Sequence, residues 1–364
     1  MSRVLVADGV DAGLPWHYGD PLGEQRHLDG DGAVVDLSNR DVVCLTGPER
    51  AIYLDLVTTQ KLTGLGPGQA AWAYRLDGQG HIEDDLHLVE ADQALWAWTE
   101  PGLGSGLVDF LEGRKFRLQV TTRLCPELAL VWASGRGGGL LDLAEQESWV
   151  TRRGPDSLGG AEVLVPRPRL AEAMAAGHPV GLWGWEARRI AAGRPRIGLD
   201  TDQRTLPNEL GLPSPAVALD KGCYPGQETV ARVHNVGHPP RRLVRLHLDG
   251  SADRLLASGT DLSLAPSDRP APTADDGQNS AADTGDAHSA APGAPVARLG
   301  SMAWHWESGP IGLALVPRRL PEAATLLADG VACAVESLVD PGQGLHFRSD
   351  LPSGGSRRRI SLSG

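Results

Sequence analysis

Residues 217–238 read VALDKGCYPGQETVARVHNVGH, and this stretch carries unusual local chemistry. Two glycines and a proline surround Cys223 and Tyr224, a pattern that predicts a tight turn with an exposed side chain. The ammonium of Lys221 lies two positions before the cysteine, and a nearby cation favours the thiolate, which is the nucleophilic form. The pattern therefore predicts a reactive thiol at Cys223 that Lys221 keeps ionised. The alternatives are a structural cysteine and an ordinary surface lysine.

The composition of the whole chain limits the classes of protein it can belong to. Its 364 residues suffice for two or three domains, and 41% of them are hydrophobic. No segment approaches the ~18 consecutive apolar residues of a membrane span, and the N-terminus lacks the apolar core of a secretion signal. We therefore expect a cytoplasmic protein without membrane contact. The formal net charge of −12 disfavours direct nucleic-acid binding.

The spacing of the four cysteines argues against a resident metal. Cys44, Cys125, Cys223 and Cys333 are each separated from the next by more than 80 residues, and no C-x-x-C pair occurs. Structural zinc sites and permanently bound iron–sulfur clusters usually take several thiolates at close spacing. The sequence therefore predicts no metal site formed by this chain alone.

Alternating strand and helix patterns predict an α+β chain with a C-terminal β-barrel. The segment VVCLTG (42–47) predicts a strand, followed by a helix with Pro48 in its first turn, and Asp77–Gly80 predicts a hairpin turn. Alternation from residue 241 onward predicts barrel strands. The expected divisions are an N-terminal domain at 1–145, a second domain carrying the cysteine motif at 146–240, a barrel at 241–350 with a disordered insertion at about 266–295, and a flexible tail at 351–364.

Two further segments carry candidate site residues. In the predicted strand GHIEDDLHLV, Asp85 shares a face with Glu83 and His87, and such neighbours can shift its pKa. In the predicted helix GLWGWEARRIAAG, Trp185 and Arg189 lie one turn apart on one face. An indole can stack on a flat heterocycle, and a guanidinium can hold a carboxylate. The alternatives are a solvated strand edge for Asp85 and a core position for Trp185.

The string DKGCYPGQETVARVHNVG resembles the signature of the YgfZ family of folate-binding iron–sulfur cluster assembly proteins, which are related to the glycine-cleavage T-protein. The segments VVDLSNRDVVCLTGPERAIYLDLVTTQ and LGPGQAAWAYRLDGQGHIEDDLHLV are similar to the N-terminal folate domain of that superfamily, and WEARRIAAGRPRIGLDTDQRTLPNELGL is similar to its second shared block. Together these similarities cover most of residues 17–250. True T-proteins lack the KGCY-x-GQE motif, so its presence favours an assembly factor over an aminomethyltransferase.

The resemblance implies T-protein-like cloverleaf domains, a C-terminal β-barrel, and a central tetrahydrofolate pocket with Cys223 near its mouth. It also implies that Trp185 contacts the folate and that Asp85 faces the bridging nitrogen of the folate. The expected catalytic residues are Cys223, Lys221 and Asp85. The expected folate-binding residues are Trp185, Asp85, Arg189, Tyr224, Gln227 and Glu228.

Residue 191 departs from the family pattern. Relatives tend to read IEAG after the tryptophan, whereas this chain reads IAAG, so Ala191 offers no carboxylate to a pterin. The pair Asp84–Asp85, in contrast, resembles the T-protein more than some assembly factors. The chain thus keeps one transferase-like residue and has lost another.

The leading hypothesis is a tetrahydrofolate-dependent accessory factor for assembly or repair of iron–sulfur clusters in client enzymes, with tRNA-methylthiolating radical enzymes among the expected clients. Cys223 would contact a transient cluster or take part in redox chemistry, and client enzymes or cluster carrier proteins would be the partners. The first alternative is a folate-dependent one-carbon (aminomethyl) transferase centred on Asp85. The second is a non-catalytic folate-sensing protein whose ligand changes partner binding.

Overall fold

The computed structural model describes residues 3–135, 139–212, 214–268 and 293–339. Most of the predicted insertion and the whole predicted tail lie outside these residues; the exceptions are a short 3-10 helix at Pro266–Asp268 and the start of a strand at Pro295. The described chain forms a two-stranded sheet, two five-stranded sheets and a closed six-stranded barrel. The predicted α+β class with a C-terminal barrel is confirmed.

The strands and helices are numbered along the chain. The strands are β1 (Val4–Leu5), β2 (Pro15–His17), β3 (Ala33–Asp36), β4 (Asp41–Thr46), β5 (Ala70–Leu76), β6 (Ile82–Ala91), β7 (Ala94–Thr99), β8 (Thr121–Leu124), β9 (Leu128–Ala133), β10 (Thr151–Arg152), β11 (Ala161–Pro166), β12 (His178–Val180), β13 (Arg241–Leu248), β14 (Asp261–Leu264), β15 (Pro295–His305), β16 (Gly309–Pro317), β17 (Thr325–Ala328) and β18 (Val331–Ser337). The helices are α1 (Pro21–His27), α2 (Arg50–Val57), α3 (Gly104–Arg114), α4 (Leu140–Gln146), α5 (Leu170–Ala175), α6 (Leu182–Ala191) and α7 (Gln227–Val236).

The first five-stranded sheet is antiparallel, has the order β5-β6-β7-β4-β8, and contains the predicted hairpin. At the hairpin turn, the carboxylate of Asp77 accepts hydrogen bonds from the backbone N–H groups of Gln79 and His81, both at 2.8 Å. Gly80 closes the turn with a φ of +93°, a conformation that glycine adopts without steric cost. Side-chain acceptance and a left-handed glycine are the turn chemistry that the sequence predicts.

The second five-stranded sheet joins distant parts of the chain. Its order is β10-β11-β9-β3-β12, with β3 and β12 parallel and the other pairs antiparallel. Strands β3 and β9 precede residue 145, whereas β10, β11 and β12 follow it. The sheet therefore spans the expected division between the first two domains, and the domain boundaries stay a prediction.

The barrel is closed in the order β13-β16-β15-β14-β17-β18, and α6 packs against it. Val244 and Leu246 of β13 are fully buried, whereas the alternate residues Arg245 and His247 bond to the Glu336 carboxylate at the barrel surface. This agrees with the predicted alternation. On α6, Ile190 packs against apolar barrel residues. Helix α6 thus places its remaining side chains between the barrel and the second sheet.

One helix begins later than the sequence predicts, and another helix was not predicted. Helix α2 begins at Arg50 with Glu49 as its N-cap, so Pro48 precedes the helix instead of lying in its first turn. Helix α7 begins directly after Gly226, and the sequence analysis assigned no helix there. Gly226 is the N-cap of this helix and has a φ of +77°, so the cysteine turn ends and the helix begins at this residue.

Candidate functional site

The turn with the cysteine motif exposes its thiol. Of the four cysteines, Cys44, Cys125 and Cys333 are buried and Cys223 is exposed. The motif is held against the 77–80 hairpin turn through Gly226, whose backbone approaches that turn so closely that an added Cβ would lie 2.6 Å from the Cα of Gly80. Only glycine permits this contact, because a side chain would overlap backbone atoms. The exposed position of Cys223 thus follows from a turn fixed at its far end.

Lys221 lies beneath the same turn and is buried. Its ammonium donates hydrogen bonds to the carbonyl oxygens of Thr58 and Gln60, both at 2.9 Å, and to the carbonyl of Asp55. The Asp55 carboxylate is 3.6 Å away. Burial lowers the pKa of Lys221, against the opposing effect of Asp55. These bonds fasten the motif to the end of α2, and the predicted action of Lys221 on the Cys223 thiol stays a prediction.

The other three motif residues occupy different environments. Tyr224 is buried and packs in one apolar cluster with Trp72 of β5. The side-chain amide of Gln227 donates to the carbonyl oxygen of Lys221 at 3.2 Å and so closes the turn internally. Glu228 is exposed in the first turn of α7. Tyr224 therefore connects the thiol turn to the first sheet, whereas Glu228 faces solvent.

Asp85 is buried on the face of β6 that the sequence analysis assigned to it. Its carboxylate accepts a hydrogen bond from the indole N–H of Trp72 and lies 3.9 Å from Nε2 of His87. Burial raises the pKa of Asp85 to about 6, although His87 and the indole hydrogen bond act in the opposite direction. A carboxyl group with this pKa can hold or release a proton near neutral pH.

His87 joins Asp85 to a second buried carboxylate. Its Nδ1 is hydrogen-bonded to Asp156, which lies in the loop after β10. Burial alone would lower the pKa of His87, but the charges of Asp85 and Asp156 outweigh that effect and raise it. Burial would likewise raise the pKa of Asp156, but His87 and Arg152 lower it below its usual range. The imidazolium is thus favoured between two acids.

Arg152 supplies the positive charge at the other end of this network and is fully buried. Its guanidinium donates to Asp156 and, at 3.1 Å, to Glu162. It also donates to the carbonyl oxygens of Leu88 at 3.0 Å and Ala71 at 2.8 Å. Since Leu88 and Ala71 belong to the first sheet and Arg152 to the second, the guanidinium joins the two sheets behind Asp85.

In the described part of the chain, one group of side chains has the composition and spacing to be considered as a metal site: His87, Asp156 and Glu162. Ligand atoms of His87, Asp156 and Glu162 lie within 4.8 Å of one another. The guanidinium of Arg152 already donates to both carboxylates, however, and supplies the cation that such a cluster needs. The arrangement is that of a closed ion-pair network.

Trp185 and Arg189 both lie on α6 as predicted, but they face different surroundings. Trp185 is buried, and its ring centroid is 5.2 Å from that of Trp132 in the second sheet. Arg189 is also buried; its guanidinium donates to Glu186 and, at 2.8 Å, to Asp200. Because both carboxylates already neutralise Arg189, binding a folate carboxylate through this residue, as the sequence analysis expects, would require these ion pairs to open. The folate contacts of both residues stay predictions.

An aromatic cleft lies beside the Asp85 network, and neither Trp185 nor Arg189 lines it. It has a volume of about 320 Å³. We call it the aromatic cleft; it is lined by Trp72, Tyr74, Gly193, Arg194, Pro195, Leu210, Gly211, Leu212, Ser214, Pro215, Leu338 and Val339. Tyr224 of the cysteine motif packs in the same apolar cluster as Trp72, Tyr74 and Leu212. The exposed thiol is therefore attached to the wall of this cleft through its neighbour in sequence.

Sequence reasoning missed several residues of this region. Trp72 could have been found from the hairpin register, because it lies on the same face of the sheet as Asp85. Asp156 and Arg152 gave no comparable signal, since they follow Asp85 by about 70 residues and reach it only through the packing of two sheets. Arg194 stood in a loop-rich segment without periodicity.

None of the helices in the described part of the chain has the length and apolar character that a bilayer crossing requires. No protein-family model matches the chain.

Sequence and structure comparisons give related results. An aminomethyltransferase of Chromobacterium violaceum is 24% identical over 224 residues, which cover 55% of this chain and 62% of that protein, less than two thirds of its length. An aminomethyltransferase of Chlorobaculum parvum is 26% identical over 273 residues, covering 66% of this chain and 74% of that protein. The glycine cleavage system aminomethyltransferase T of Bartonella henselae superimposes with a TM-score of 0.71 at 18% identity over 91% of this chain and 92% of that one. The chain thus has the fold of the glycine-cleavage T-protein and resembles aminomethyltransferases in sequence, whereas its narrower resemblance to the YgfZ family rests on the cysteine motif alone.

Proposed function

We propose that this protein is a tetrahydrofolate-binding accessory factor for the assembly or repair of iron–sulfur clusters in client enzymes, with Cys223 as its working thiol. The proposal combines a T-protein fold with a motif that T-proteins lack. In it, the cluster is cargo that belongs to the client or to a carrier protein, and the folate is the bound cofactor.

The observation that carries the proposal is the position of Cys223. The other three cysteines are buried in the cores of the sheets and the barrel, and this one is exposed on a turn attached to the aromatic cleft. An exposed thiol on a fixed turn is accessible to a partner protein, whereas a thiol with only a packing role is normally enclosed. The placement therefore supports chemistry with another molecule.

The aromatic cleft fits a folate in two respects. Ligand pockets typically have volumes of roughly 300–1,000 Å³ and combine apolar or aromatic walls with a few polar groups, and this cleft has both.

Each group of residues would have a distinct role towards the folate. Trp72 and Tyr74, which line the cleft, would offer flat aromatic faces to the folate rings. Trp185 lies in the core instead, and it would contact the folate from that side. Asp85, with a pKa raised to about 6, would exchange a proton with a ligand nitrogen or accept a hydrogen bond from it. A bound tetrahydrofolate would supply a one-carbon carrier and a reducing pterin at this place.

The test in cells uses deletion and rescue. We expect that deleting the gene lowers the activity of an iron–sulfur enzyme and the amount of a methylthiolated transfer RNA, and that wild-type protein restores both. Cys223→Ser should fail to restore them although it folds normally, because the residue is exposed. Leu219→Ala, at another exposed position of the same segment, is the matched control and should restore both.

Two outcomes would overturn the proposal. Full activity of iron–sulfur enzymes in the deletion strain would remove the assembly role. Full rescue by Cys223→Ser would show that the thiol has no part in it. A loss of soluble Cys223→Ser protein would instead assign the cysteine a structural role, and circular dichroism of the purified variant detects that case.

A second candidate function is one-carbon transfer, which the buried Asp85 favours. The relatives named aminomethyltransferase support it, and a carboxyl group with a pKa of about 6 beside an imidazole suits proton transfer to a folate nitrogen. Ala191 argues against it, since the family resemblance implies a carboxylate at this position and this chain has none there. Turnover of methylene-tetrahydrofolate with a small amine donor, abolished in Asp85→Asn, would support this candidate. Absence of turnover would exclude it.

A further inference from the structure

We propose that Arg194 is the anion-binding residue of the aromatic cleft and determines specificity for a carboxylate-bearing aromatic ligand. Given the folate binding proposed above, on which this inference rests, the group bound would be a carboxylate of the glutamate tail. The residue would contact the ligand directly and would distinguish folates from pterins that lack the tail.

The ion pairing of Arg194 differs from that of the neighbouring arginines in the chain, Arg189 on α6 and Arg196 in the following loop. Arg189 is neutralised by two buried carboxylates, and Arg196 pairs with Asp11 at 2.6 Å and Glu100 at 2.8 Å. In the described residues, no carboxylate lies within ion-pair distance of the Arg194 guanidinium. Its one side-chain hydrogen bond there is to a carbonyl oxygen, that of Pro155, at 3.2 Å. Arg194 therefore has a positive charge available for an external anion.

The position of Arg194 is fixed by its backbone and by Trp72. Its N–H donates to the carbonyl oxygen of Arg189 at 2.8 Å, and its own carbonyl accepts from the Arg189 guanidinium at 3.0 Å. Its guanidinium carbon lies 4.7 Å from the centre of the Trp72 ring. That indole is itself held by Asp85 on the far side. Since the loop and the indole are both fixed, the guanidinium is preorganised in the wall of the cleft.

The contact with Trp72 and the single hydrogen bond to Pro155 leave the other N–H groups of the guanidinium available. A cation–π contact uses the flat face of an arginine, whereas carboxylate recognition uses N–H groups in the plane of the fork. Arg194 can therefore remain on Trp72 and donate two parallel hydrogen bonds to a carboxylate at the same time. This geometry favours a ligand whose flat ring and carboxylate enter the cleft together.

Among the residues that the structure describes, the rest of the cleft lining supplies no competing charge. Arg194 is the charged residue of this described lining; the others are aromatic, aliphatic, glycine, proline or serine. Its volume of about 320 Å³ is at the lower end of the range for ligand sites, so it suits one end of a folate better than the whole molecule. The glutamate carboxylate matches the arginine, the benzoyl ring that carries the glutamate matches the aromatic walls, and the pterin would then extend towards the Asp85 side.

The test compares two ligands and three variants by calorimetry. The probes are 5-formyltetrahydrofolate, which carries the glutamate carboxylates, and 6-methylpterin, which has no carboxylate. We expect Arg194→Met to weaken binding of 5-formyltetrahydrofolate about 10- to 100-fold, as for loss of a charged hydrogen-bond pair, and to change 6-methylpterin binding less than about twofold. Arg194→Lys should give an intermediate loss, because it keeps the charge but not the fork.

Arg204→Met is the matched control, since it removes the same charge from an exposed position outside the cleft. It should bind both probes like the wild type. Equal losses of the two probes in Arg194→Met would overturn the inference, because they would indicate a packing role through Trp72. Unchanged affinity for 5-formyltetrahydrofolate would also overturn it. Failure of the wild type to bind that probe would refute the proposed folate binding itself, and the inference with it.

Discussion

Gly226 provides a quantitative test of how the cysteine turn is held. In Gly226→Ala, the new Cβ would lie 2.6 Å from the Cα of Gly80 and 2.7 Å from the carbonyl oxygen of Asp77, both backbone atoms that cannot rotate away. The residue also has a φ of +77°, which costs an L-residue about 1–2 kcal/mol. Overpacking adds about 1–3 kcal/mol. We expect the free energy of unfolding to fall by about 2–5 kcal/mol.

Two other glycines separate the two contributions. Gly198 has a φ of +82° but no atom within 4 Å of an added Cβ, so Gly198→Ala should show the conformational cost alone, about 1–2 kcal/mol. Gly222, in the motif itself, has neither a positive φ nor a close neighbour, so Gly222→Ala should change stability by no more than about 0.5 kcal/mol.

Urea denaturation followed by tryptophan fluorescence measures all three variants under one condition. The expected order of destabilisation is Gly226→Ala, then Gly198→Ala, then Gly222→Ala. If Gly226→Ala costs no more than Gly198→Ala, the close approach to the 77–80 turn does not hold the motif, and the exposure of Cys223 must have another cause.

Four further predictions concern charges and thiols. Lys221→Met should lower the free energy of unfolding by about 2–4 kcal/mol in urea titrations, because three carbonyl oxygens lose their donor. A loss of unfolding free energy below about 0.5 kcal/mol would contradict the burial argument. A slower reaction of the Cys223 thiol in this variant would support the predicted electrostatic role of Lys221. The pKa of Asp85 is about 6 in the folded state against 3.8 for the free group, so its contribution to the free energy of unfolding declines from pH 4 to pH 6 and is constant above pH 6. Across that window, Asp85→Asn should gain up to about 3 kcal/mol of unfolding free energy relative to the wild type. A difference between the two proteins that does not change with pH would refute the pKa shift. Arg189→Met should lower the free energy of unfolding by about 3–5 kcal/mol, because the buried Asp200 loses its ion pair and Glu186 keeps only Arg196 among the described residues, and calorimetric unfolding checks this. Ellman's reagent should titrate one thiol per native chain and four in urea; rapid labelling of a second native thiol would contradict the burial of the other cysteines.

Much of the candidate site could be anticipated where a local pattern was sufficient. The alternation of β6 assigned Asp85 and His87 to one face, and the glycines and proline around Cys223 predicted an exposed turn, as the structure has it. The interpretation of Arg189 was less complete, since the sequence identified a guanidinium on the same helix face as Trp185 but not the carboxylates that neutralise it.

The sequence by itself determined the hairpin at 77–80, the barrel strands, the exposed cysteine turn and the resemblance that led to a T-protein fold. These features depend on turn residues, side-chain periodicity and short motifs, which act over a few positions. Only the tertiary structure decided that Arg152 and Asp156 stand behind Asp85, that Lys221 is enclosed by carbonyl oxygens, and that Arg194 faces a cleft with its charge available. The physical reason is that these contacts join residues far apart in the chain, and their geometry is set by how two sheets and a loop pack together.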